Sequence, residues 1–63
     1  MSDSNNPLPE SVRRAVFAAV VDAQDKGASV AVSRAAAAAR FELRPEDVAR
    51  IEREGLDGQW PPL

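Results

Sequence analysis

Arg40-Phe41-Glu42-Leu43-Arg44-Pro45-Glu46-Asp47-Val48-Ala49-Arg50-Ile51 is the stretch that decides the fold. Pro45 breaks a helix arriving from upstream but suits the first turn of a new one, where its missing N–H would be unpaired anyway. Glu46 and Asp47 follow in that first turn, where the helix dipole favours acids. Val48 and Ile51, three apart, mark one inward face. Phe41 to Arg44 read as a short turn between this helix and the one before it.

Working outward from that turn, the preceding helix is predicted from Val30 to about Arg40, capped by Ser29 and built on the five alanines 35 to 39, the strongest helix formers. Alanines also let a second helix approach closely, so the run reads as a crossing surface. Downstream, Gly55 is expected to stop the third helix in the left-handed conformation, with Leu56 folding back onto Ile51. The first helix is expected to begin between Pro7 and Glu10, with Asn6 as cap and Pro7 and Pro9 in its first turn. Val12, Ala15, Val16, Ala19, Val20 and Ala23 recur at three and four, Phe17 and Val21 widen that stripe, and Gly27 ends the helix. Glu10 with Arg14 and Asp22 with Lys26 are spaced to pair along its exposed side.

The expected architecture is therefore all-α: a small three-helix domain over residues 7–56, a disordered lead-in over 1–6 and a Trp/Pro tail over 57–63. Its predicted centre is Phe17, Val20, Ala38, Phe41, Leu43, Val48 and Ile51. No segment alternates apolar and polar residues with period two, and no repeat is visible.

Composition narrows the functional classes. The chain has 63 residues, 44% apolar and 29% charged, with a formal net charge of −2. A chain of about 60 residues buries only about 60% of the surface its unfolded form exposes, so the core must be small. Neither Cys nor His occurs, which removes disulfides, the usual zinc and haem ligands, the thiol nucleophile and the commonest general base. Ser29 and Ser33 remain as hydroxyls with no evident activating partner. Little room exists for a substrate cavity of several hundred Å³, so no enzyme activity, cofactor, metal or small-molecule substrate is expected. No apolar run is long enough to span a bilayer and the N-terminus lacks the pattern of a secretory signal, so a soluble cytoplasmic domain without membrane contact is expected.

Two helices joined by a short turn, with Ala38, Phe41, Leu43, Val48 and Ile51 at the packing positions, have the spacing of a helix-turn-helix. Arg40 through Leu56 resembles the helix-turn-helix of sigma-70 region 4: the Phe-acid-aliphatic turn, the Val-x-x-Ile-Glu core and the closing small residue plus Leu are similar. The resemblance covers the second half of the chain and implies a DNA-binding, transcription-related role. It departs from the family where the recognition helix is typically basic, at Pro45, Asp47 and Ala49. Glu46 matches the family and can accept from a cytosine amino group, and Arg50 can reach guanine or a phosphate.

Residues 29–54 hold five arginines and five acids, so they lack the net positive field that drives non-specific DNA binding. Arg34, Arg40, Arg44, Arg50 and Arg53 are either a solvated surface interleaved with acids or a phosphate-facing set. Trp60 is either folded back on the core or, with Pro61, Pro62 and Leu63, a short aromatic-proline peptide offered to another protein. Two functions follow: a small DNA-binding protein, alone or within a larger complex, or a non-catalytic helical adaptor that binds protein through helix one or the Trp60 tail.

Overall fold

The computed structural model describes residues 8–61. Three helices, α1 (Glu10–Asp25), α2 (Val30–Phe41) and α3 (Pro45–Gly58), pack pairwise against one another. Asn6 and Pro7, expected to cap and open the first helix, lie outside the described residues. Pro9 itself takes the cap position, extended at φ −58° and ψ 152° and one residue ahead of the helix rather than within its first turn. Ser29 caps α2 as expected, its Oγ accepting from the Val32 N–H at 3.1 Å.

All three helices end the same way. In α1 the Gly27 N–H donates to Gln24 and the Ala28 N–H to Ala23; in α2 Glu42 donates to Ala39 and Leu43 to Ala38; in α3 Gln59 donates to Leu56 and Trp60 to Gly55. Each is a Schellman motif that satisfies two of the last carbonyls. Each needs a left-handed residue, and these are Gly27, Glu42 and Gln59, at φ 102°, 58° and 53°. The third motif corrects the expected ending: Gly55 does not stop α3, which runs one turn further to Gly58, and Leu56 is half exposed rather than folded onto Ile51. Residues 57 and 58 therefore belong to the helix and not to a tail. A side chain at positive φ costs about 1–2 kcal/mol, partly offset by the greater chain entropy of glycine. Glu42→Gly is expected to stabilise the domain by about 0.5 kcal/mol and to raise its melting temperature by a few degrees in thermal denaturation.

The core is Val16, Phe17, Val20, Ala37, Ala38, Val48, Ile51 and Trp60. Five of the seven expected centre residues are buried there. Phe41 and Leu43 are only partly buried, packed against its edge, because they sit where α2 ends and the chain turns outward to begin α3. Trp60 is 7% exposed, so of its two expected placements the chain adopts the one in the core. Its ring meets Phe17 edge to face at 6.0 Å between centroids, and the Arg14 guanidinium lies over the indole, 4.8 Å from its centroid.

Polar ties fix the helices to one another. Ser33, fully buried, donates to the Val30 carbonyl at 2.9 Å and accepts from Gln24 Nε2 of α1 at 3.0 Å. Arg13 forms a fork onto Glu54 of α3, through Nε at 3.0 Å and an Nη at 3.1 Å, while its other Nη donates to the Leu8 carbonyl. Arg34 of α2 reaches Glu52 of α3 at 2.8 Å. Both pairs expected along α1, Glu10–Arg14 and Asp22–Lys26, are formed.

Candidate nucleic-acid interface

Three turns of α3 are sorted by a helical period of 3.6 residues. Val48, Ile51 and Gly55 point into the core, while Glu46, Arg50, Arg53 and Asp57 are exposed on the opposite side. The remaining acids lie on the flanks between these faces. Glu52 is drawn toward α2 by Arg34, and Glu54 toward α1 by Arg13. The cross-helix pairs thus remove Glu52 and Glu54 from the exposed side of α3, where Arg50 and Arg53 stand with Glu46 and Asp57. With Arg34 and Glu52 set against each other and Glu54 held by Arg13, residues 40–53 present Arg40, Arg44, Arg50 and Arg53 beside Glu42, Glu46 and Asp47.

The expected nucleic-acid-binding residues fall in three places. Arg44, Glu46 and Arg50 gather around Asp47 at the N-terminal end of α3: Arg44 Nε lies 3.7 Å from Glu46 and 3.5 Å from Asp47, and an Arg50 Nη lies 4.0 Å from the other Asp47 oxygen. Arg53 continues this exposed side one turn on. Arg34 stands apart, tied to Glu52 in a shallow groove of about 280 Å³ that Ala49, Arg53, Leu56 and Asp57 also line. Its guanidinium is committed to holding α2 on α3. Arg40 is exposed at the end of α2, its guanidinium 5.5 Å from the Phe41 ring centroid.

Asp47 is the residue whose part the sequence reading missed. In the sequence it reads as an acid suited to the helix dipole and as a departure from a basic position. In the fold it also accepts from the Arg44 backbone N–H at 3.3 Å, half of a capping box. Its place three residues after the cap and three before Arg50 carries that signal in sequence.

The tail gives no comparable cluster. Trp60 is buried, Pro61 is exposed, and Pro62 and Leu63 lie outside the described residues. The Trp60 indole packs against Phe17 and Arg14. The outer side of α2 has another character, with Val32 more than half exposed and Ala31, Ala35, Ala36 and Ala39 beside it in solvent. Ser29 and Ser33 are both engaged in structural hydrogen bonds. Among the described residues no helix is long and apolar enough to cross a membrane. Compared with protein-family models, with curated proteins and with solved structures, the chain matches none.

Proposed function

We propose that the chain is a small DNA-binding helix-turn-helix protein that reads duplex DNA with the exposed side of α3. Glu46 and Arg50 reach base edges, and Arg40, Arg44 and Arg53 face phosphates. The observation that supports this is the sorting of charge: Glu52 and Glu54 are turned toward neighbouring helices while Arg50 and Arg53 stay outward with Glu46, and Asp57 is confined to the last turn of α3. The three-residue connection Glu42-Leu43-Arg44 between α2 and α3, and the resemblance of that segment to sigma-70 region 4, support it further. Few phosphate contacts are available, so the grip is weak and its salt dependence shallow.

An anisotropy titration of a labelled random-sequence duplex and of the tightest duplex selected from a random library tests this at low salt. Arg50→Ala is expected to weaken the selected duplex roughly tenfold or more, the value of one arginine-base contact. No binding to any duplex at low salt, with helix content intact, would sink the proposal. The adaptor reading would then take its place, with the protein partner on α1 or the Trp60 tail.

A further inference from the structure

Asp47 occupies the centre of the proposed interface, and its geometry gives it work there. One carboxylate oxygen accepts from the Arg44 backbone N–H and faces the Arg44 guanidinium at 3.5 Å; the other faces the Arg50 guanidinium at 4.0 Å. The carboxylate is the less exposed member of the trio, its side chain 28% accessible against 75% for Arg44 and 58% for Arg50. A partly buried acid thus sits beneath two solvent-facing arginines, one on each side.

We propose that Asp47 is a specificity-determining residue: it holds Arg44 and Arg50 over the N-terminal end of α3 and opposes their attraction to phosphate, so that binding depends on base contacts rather than on backbone charge. The inference rests on the DNA-binding function proposed above. Two physical effects act together. A phosphate approaching either arginine competes with a carboxylate already beside it and is itself repelled by that carboxylate. A base edge carries no full charge, so it escapes most of that repulsion and benefits from a guanidinium held in place beforehand. Sequence-independent binding is therefore penalised more than sequence-dependent binding, which is how a repulsive element produces specificity.

Asp47→Asn removes the charge and keeps an oxygen that can accept from the Arg44 N–H, so the start of α3 is preserved. Asp25→Asn changes the net charge equally on an exposed residue of α1, outside the α3 surface. Each variant is titrated, beside the unaltered protein, against the random duplex and the selected duplex over a range of salt, with thermal melting as a check on folding. Asp47→Asn is expected to bind the random duplex roughly tenfold tighter and to steepen the slope of log K against log salt by about one contact's worth, near 0.9. Its gain on the selected duplex is expected to be several-fold smaller, so discrimination falls, whereas Asp25→Asn leaves discrimination unchanged. Equal gains on both duplexes, or equal effects of the two variants, would overturn the role of Asp47 while leaving DNA binding standing. Failure of all three proteins to bind either duplex would overturn DNA binding, and the role of Asp47 with it.

Discussion

Gly55→Ala is expected to destabilise the domain by about 2 kcal/mol, although helix propensity alone predicts the opposite sign. Alanine in a helix interior is favoured over glycine by about 1 kcal/mol. At Gly55, however, an added Cβ would lie 2.6 Å from Phe17 Cγ and Cε1, far inside van der Waals contact. The Phe17 ring cannot retreat easily, since it is fully buried and Trp60 meets it edge to face. Overpacking of this kind costs about 1–3 kcal/mol and occasionally more; the closeness of the approach places this site at the upper end. For a chain of this length, at about 0.05–0.15 kcal/mol per residue, such a loss is a large share of total stability. Urea denaturation should show the midpoint falling, and a double-mutant cycle identifies the cause. Phe17→Leu alone loses packing, but in the Gly55→Ala background it makes room, so the double variant should be more stable than the sum of the single losses. A stabilised Gly55→Ala would show that the ring moves aside and that propensity decides.

Gly55 also shows why the architecture was legible in the sequence and its third ending was not. Glycine serves two unrelated purposes, a left-handed backbone and a missing Cβ. At Gly27 the first purpose applies, and the reading there succeeded. Gly55 lies inside α3 and serves the second purpose, as a seat for the Phe17 ring, which depends on a residue 38 positions earlier and leaves no local mark. The expected Schellman motif exists but lies four residues later, with Gln59 where glycine was expected and Trp60 where Leu56 was. Nothing in the type of Glu42 or Gln59 announces a positive φ. Local signals did suffice where the physics is local: Ser29 as a cap, Pro45 as a first-turn residue, and the acid-base pairs four apart along α1.

The candidate interface was legible to the same extent. Arg44, Glu46 and Arg50 share one end of α3 because spacing on a single helix settles it. That Arg34 belongs to a cross-helix pair with Glu52 depends on how α2 lies against α3, and linear charge counting treats the two as members of one surface. Arg13 was invisible as a contributor for the same reason, since its partner Glu54 is 41 residues away. The paired arginines set the character of the surface: those held by α3's own acids stay at the proposed interface, and those that reach across helices hold the fold.

Trp60→Ala is expected to be the most damaging single truncation, costing about 3–5 kcal/mol, and to leave a chain that is largely unfolded at 37 °C. The indole meets the Phe17 ring edge to face, carries Arg14 over its own ring, and is brought in by a backbone N–H that donates to the Gly55 carbonyl at 2.9 Å. Losing it removes the apolar area of the largest side chain in the core, together with an edge-to-face pair worth about 0.5–1.5 kcal/mol beyond area. As the single tryptophan in the chain, it also reports on itself. Its emission in the folded protein is expected to be blue-shifted and poorly quenched by iodide or acrylamide, moving to the red in the same denaturation transition that loses helix. Trp60→Phe should recover part of the lost stability, because a smaller ring can still cover Phe17, whereas Trp60→Ser should behave like Trp60→Ala. Red-shifted, freely quenched emission from the folded chain, with a melting temperature indifferent to Trp60→Ala, would place the indole in solvent. Such a result would restore the residues from Trp60 to Leu63 as a peptide offered to a protein partner.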